Sequence, residues 1–194
     1  MPFTSYGLDH FVSQELSKLS RCDAPEVTSS FPESKHWVSH FVLNSFLGFQ
    51  LSPEMKRFRF FFLRRAEAAF IEYDHAREAL SEYVATSRRQ PSLYFRALYH
   101  FEMTIAMLWQ AYDFRRKFTG VDPYKTGDNS RYERLAEIYN ASRYFDPELP
   151  PDYLHLIRIS NDGVYSAKHS LSFEEIKECL EEIGRLADSF SSHP

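Results

Sequence analysis

Apolar residues between positions 52 and 90 fall at Met55, Phe58, Phe62, Ala66, Ala69, Tyr73, Ala76, Leu80 and Tyr83, in steps of three and four. That is the period of one helix face, sustained for about eight turns. Ser52-Pro53-Glu54 supplies an N-cap, a first-turn proline and a first-turn acid. A second helix is predicted from Gln90-Pro91-Ser92, with one stripe at Tyr94, Leu98, Phe101, Ile105, Leu108 and Tyr112. Met103, Met107, Phe114 and Phe118 make a second apolar face, the mark of a helix central in a bundle. Its stop is Thr119-Gly120, because glycine takes the left-handed conformation that closes helices. Asp128-Asn129-Ser130 predicts the start of a third helix carrying Tyr132, Leu135, Ile138, Tyr139 and Phe145, ended by Asp146-Pro147. A fourth opens on Ser172-Phe173-Glu174-Glu175, a capping box, and continues through Ile176, Leu180, Ile183, Ala187 and Phe190.

Prolines support this division. The intervals 54–90, 92–122, 124–146 and 152–193 contain none, and proline is excluded from helix interiors. Ile157, Ile159 and Val164 around Asn161-Asp162-Gly163 predict a small hairpin or ordered loop before the last helix. Residues 1–51 are less regular: a weak amphipathic pattern over Phe3 to Leu19, a polar stretch to Ser34, then an aromatic-rich helical segment from His36 to Phe49. The expected fold is all-α, an antiparallel four-helix bundle over residues 52–194, with residues 1–51 as an N-terminal helical arm packed on it or reaching across a dimer.

Composition narrows the function. Phe 18, Tyr 12 and Trp 2 provide ample core, whereas 6 glycines in 194 residues leave no glycine-rich phosphate loop. Two cysteines, Cys22 and Cys179, make neither a disulfide scaffold nor a four-cysteine zinc site. Residues 1–14 lack a basic start and an apolar core segment, and no apolar run is long enough to span a bilayer, so a cytoplasmic protein is expected. The net charge of −4 equals that of the segment from Ser172 onward, which hides a basic run at Lys56, Arg57, Arg59, Arg64 and Arg65. Such a run either binds phosphate or RNA, or forms a solvated face paired with acids such as those of the last helix. Arg88-Arg89 and Arg115-Arg116-Lys117 add smaller clusters.

Local spacing yields no catalytic signature. There is no nucleophile elbow, and Cys179 beside Leu180 reads as a small packed residue. His36 and His40 have the i, i+4 spacing that can present two imidazoles to a metal, but no third ligand is evident nearby, so no metal or other cofactor is expected. Glu102, between Phe101 and Met103, is either a tuned acid or a buried polar anchor to a loop or another helix.

Three landmarks over Tyr94 to Phe190 carry a family resemblance: His100-Phe101-Glu102 with Gln110-Ala111-Tyr112; Asp128-Asn129-Ser130, Glu133-Arg134-Leu135 and Tyr139-Asn140-Ala141-Ser142-Arg143-Tyr144; and Asn161-Asp162-Gly163 before Leu171 to Glu175. In these the chain resembles uncharacterised bacterial members of the HEPN-like helical-bundle superfamily. The resemblance implies a helical protein, often a homodimer, in a superfamily whose active members are metal-independent RNases that use an arginine and a following histidine with four to six residues between them. Here no histidine follows any of the sixteen arginines at that spacing, and Arg143-Tyr144 stands where the branch carries Lys-His. Tyrosine, with an unperturbed pKa of about 10, replaces histidine poorly near neutrality. The expectation is therefore a non-catalytic dimerising or binding module, holding RNA, a nucleotide or a protein near Arg134, Asn140, Arg143 and Tyr144. The alternatives are a degenerate RNase using Arg143 with Tyr144, His155 or His169, and an antitoxin-like or scaffold subunit acting through the acidic last helix.

Overall fold

A computed structural model describes residues 5–47, 51–86, 90–143 and 157–192. In chain order the elements are α1 (Ser5–Phe11), α2 (Trp37–Phe46), α3 (Pro53–Ala85), α4 (Pro91–Thr119), α5 (Arg131–Arg143), β1 (Ile157–Ile159), β2 (Gly163–Ser166), β3 (Ser170–Ser172) and α6 (Phe173–Ser192). Three short 3-10 turns lie between α1 and α2.

The expected caps close the helices. Ser52 Oγ accepts from the Met55 N–H at 3.2 Å, and Gly120 ends α4 with φ 71°. Ser172 and Glu175 exchange bonds at the start of α6: Ser172 Oγ accepts from Glu175 N at 3.1 Å, and Glu175 Oε2 accepts from Ser172 N at 3.0 Å. At the head of α5 the polar turn does more than the sequence suggests. The Glu133 carboxylate reaches back to take the N–H groups of Gly127 and Asn129, the latter at 2.6 Å with Asn129 at φ 52°. The predicted end of that helix, at Phe145 to Pro147, lies outside the described residues.

Helix direction follows from ring pairs. Phe58 meets Phe118, Phe61 meets Phe114, Tyr73 meets Phe101 and Tyr83 meets Tyr94, so α3 and α4 are antiparallel. Phe190 packs on Phe58 and Phe62 while Phe173 stacks on Phe101, which sets α6 antiparallel to α3. Tyr132 meets Tyr112 and Tyr139 meets Trp109, so α5 opposes α4. Among the described residues, α3 to α6 thus alternate in direction, as the stripes predict.

The α5 helix has 13 residues against 33 in α3, about 20 Å against 50 Å. It covers only the C-terminal half of α4. The sheet contributes beyond it, and it has three strands where the sequence suggests a hairpin: β1, β2 and β3 form an antiparallel meander in chain order. Ile157, Ile159, Val164 and Leu171 are buried from this sheet. The Ile159 N–H reaches the Tyr94 hydroxyl at 3.3 Å, near the start of α4, and that hydroxyl donates to Ser13 Oγ at 2.9 Å.

The N-terminal segment belongs to the same core. Leu8, Leu16, Val27, Phe31, Trp37 and Phe41 are buried in one cluster with the helices. Trp37 Nε1 donates to Asp188 at 2.6 Å, and Tyr73 OH and Arg77 Nε both donate at 3.0 Å, to the carbonyls of Pro25 and Ala24. The segment therefore seals the α3–α6 face of its own bundle. None of the described helices is long and apolar enough to cross a membrane.

Candidate functional site

Of the residues expected to form one ligand site on α5, the described ones, Arg134, Asn140 and Arg143, do not converge. Arg134 is turned toward α6, where its guanidinium donates to Ser170 O at 2.9 Å and pairs with both oxygens of Glu175. That arginine therefore locks α5 to the capping box of α6. Arg143, nine residues on, lies half a turn round the helix from it. It is exposed, its guanidinium 5.2 Å from the Tyr139 ring and bonded to the Tyr139 hydroxyl at 2.6 Å. Asn140 is exposed on a third bearing, and Tyr144 lies outside the described residues.

The acids of α6 find their ion-pair partners, among the described residues, away from the basic run at 56–65. Glu182 accepts from Tyr132 OH at 2.6 Å, Tyr112 OH at 3.0 Å and Arg115 at 2.7 Å, with Arg131 at 3.4 Å. Burial alone would raise its pKa; these donors outweigh that and hold it below the usual carboxylate range. Glu178 pairs with Arg131, and Glu174 with Lys177 of its own helix. The acidic helix is thus largely occupied in holding its own bundle together. Glu182 and its partners line a cleft of about 280 Å³ beside the loop at 119–123, but the carboxylate there has no free role as a base. Cys179 is fully buried, with its thiol pushed up to about 12 by burial, so it is no nucleophile near neutrality.

Glu102 is half-buried, and burial raises its carboxyl to about 7. The sequence suggests an anchor, yet among the described residues no hydrogen bond or ion pair reaches this carboxylate. It faces the side of α4 toward Trp109 without a fixed partner.

A different set of residues does converge. Around α3 the basic run divides by helical bearing. Arg59 turns to α6, 5.0 Å from the Phe190 ring, whereas Lys56 and Arg57 line an open groove with Phe41, Val42, Ser45, Phe46 and Phe60. The groove holds about 360 Å³, and the Arg64 guanidinium lies 5.8 Å from the ring of Phe60, one of its lining residues. Lys56, Arg57, Arg64 and Arg65 form no ion pair among the described residues. Beside the groove α2 shows a second apolar face: Val42 is 48% exposed, Leu43 60%, Phe46 92% and Leu47 84%. Its opposite face buries Trp37 and Phe41. A helix apolar on both sides, with only one side covered, marks an interaction surface. The aromatic richness of residues 36–49 was visible in the sequence; the second, outward face required knowing which side packs.

One further cluster escaped sequence reasoning. Glu72 and His75 of α3 meet His100 of α4, with Glu72 Oε2 2.6 Å from His100 Nδ1 and the two imidazole rings 5.2 Å apart. The local signal was only Glu-x-x-His on one helix face; the third member comes from the antiparallel neighbour. By contrast His36 and His40, with rings 6.1 Å apart, form no three-ligand cluster among the described residues; the Glu33 carboxylate lies 3.5 Å from His40 Nδ1. The smaller cluster at Arg88-Arg89 and the histidine at 155 lie outside the described residues. No protein-family model, curated protein or solved structure matches this chain.

Proposed function

We propose that this chain is a non-catalytic helical-bundle binding module, of HEPN-like architecture, that docks a protein partner on the outer face of α2 and the adjoining start of α3. The observation that carries this reading is the exposed row Val42, Leu43, Phe46 and Leu47 beside a groove edged by Lys56 and Arg57, which form no ion pair among the described residues. Apolar side chains at this exposure are stabilised by a partner that covers them. The cationic edge selects a segment whose apolar face is flanked by aspartate or glutamate, such as an amphipathic helix. A second copy presenting the same face would set Lys56 and Arg57 against like charges, so charge favours the acidic partner. RNA would be drawn by the same cations, but the groove is apolar and three of the four side chains in the exposed row are aliphatic, leaving Phe46 as that row's one ring for a base to stack on. The absence of an Arg–His pair at RNase spacing, and the commitment of Arg134 to Glu175, support a module without catalysis.

Co-purification from host cells tests the reading, with the full chain carrying Phe46→Asp/Leu47→Asp or Lys56→Glu/Arg57→Glu beside the wild type. The expected result is one discrete protein, retained by the wild type after nuclease treatment and lost from both variants. Material lost on nuclease treatment would point to RNA instead, and a partner indifferent to both variants would place binding elsewhere. Circular dichroism checks the fold, since these positions are exposed or half-buried.

A further inference from the structure

The geometry points to a transition-metal site at the outer seam of α3 and α4, built by Glu72, His75 and His100. One ligand atom from each of the three lies within 4.8 Å of the others. A tetrahedral ion with ligands at about 2.0–2.2 Å needs donors about 3.4 Å apart. Rotation of the exposed His75 ring supplies the closure on its side, while the Glu72–His100 pair, hydrogen-bonded at 2.6 Å, opens by about 0.8 Å to admit the ion.

The scaffold suits the task. Glu72 and His75 are one turn apart on the same side of α3, and His100 faces them from α4. Both helices are long and packed against each other along their length through Tyr73–Phe101 and Tyr83–Tyr94. Sites on such rigid elements hold donor geometry better than sites on loops. Tyr99 lies against the His100 ring, with centroids 5.3 Å apart, and limits its rotation.

Donor chemistry selects the ion. Two imidazoles and one carboxylate favour zinc, or iron(II), cobalt(II) or nickel(II), over calcium and magnesium, which prefer all-oxygen ligands. Three protein donors leave a fourth position for water, and the solvent-facing His75 keeps that position accessible. This site lies apart from the α2–α3 face, so it stands or falls independently of the binding module.

Titration of the full chain with zinc alone, followed by calorimetry and by cobalt(II) absorption, decides the matter. The wild type should take up one equivalent and show the intense visible bands of four-coordinate cobalt. His75→Ala, on an exposed ring, should keep the fold and lose more than the tenfold to hundredfold that second-shell changes typically cost. His100→Ala and Glu72→Gln should do the same, and His36→Ala/His40→Ala should leave binding unchanged. Three results would overturn the site: no stoichiometric uptake, wild-type uptake by His75→Ala, or loss of uptake in the His36/His40 variant. Any of them would leave Glu72 and His100 as a plain hydrogen-bonded pair.

Discussion

Glu102 and Asn161 show how differently two polar side chains can be used. Glu102 holds its proton up to about pH 7 because burial disfavours its charged form, against 4.5 for the ordinary group. Between those values the folded chain binds a proton that the unfolded chain has released, so this group's contribution is full below pH 4.5 and is lost as pH rises through 7. Glu102→Gln should therefore raise stability at about pH 8 by about 1–2 kcal/mol after allowance for solvent screening, and change little at pH 4.5. Urea denaturation at the two pH values checks this; a variant weakened at pH 8 would reveal a partner for the carboxylate. Asn161 is fully engaged. Its side-chain oxygen accepts from the N–H groups of Ser20 and Arg21 at 2.9 and 3.1 Å, and its amide donates to Lys18 O at 3.3 Å. Asn161→Ala should cost about 1–2 kcal/mol, and hydrogen exchange should speed up at Ser20 and Arg21. The Asn-Asp-Gly landmark is thus a clasp on the N-terminal segment.

The elements divide into those whose partners are close in sequence and those whose partners are distant. Caps and stripes of α3, α4 and α6 could be read directly, because a helix announces its period and its ends within a few residues. The third strand could not: Ser170-Leu171-Ser172 is too short to show alternation, and only its pairing with β2 makes it a strand. Nor could the destination of the α6 acids, since Arg115, Arg131 and Arg134 reach them from other helices. Glu182→Ala should cost about 2 kcal/mol by leaving those donors uncompensated. Because Glu182 sits below its ordinary pKa, the stability it gives is present at neutral pH and lost as pH falls through the acid range. Thermal melts should separate wild type from variant at neutral pH and converge at acid pH. Gly184 is a second contact between elements, where α6 meets the N-terminal segment: a Cβ there would lie 2.7 Å from the Phe31 ring. Gly184→Ala should therefore destabilise by about 1–2 kcal/mol, the clash outweighing the gain in helix propensity.

At the scale of the whole molecule, alternation of α3 to α6 was legible because proline and glycine punctuation separated the stripes. The functional face was not, because exposure depends on which side of α2 the bundle covers. The basic run read as one patch along the chain, but the helix splits it, turning Arg59 inward to Phe190 and leaving Lys56 and Arg57 beside the open groove. Likewise the suggested α5 site depended on Arg134 and Arg143 acting together, and nine residues of helix set them on opposite sides. What emerges is a bundle whose acidic helix is largely paired within its own fold, and whose exposed apolar row on α2 lies beside Lys56 and Arg57, which form no ion pair among the described residues. The most direct test of that face is site-resolved photo-crosslinking in host cells, with a photoreactive phenylalanine analogue at position 46 and, as control, at the exposed Arg185. A single protein adduct from position 46, absent from position 185 and from the Lys56→Glu/Arg57→Glu background, is the predicted result. An adduct to nucleic acid, an adduct to a second copy of the chain, or equal labelling from both positions would contradict it.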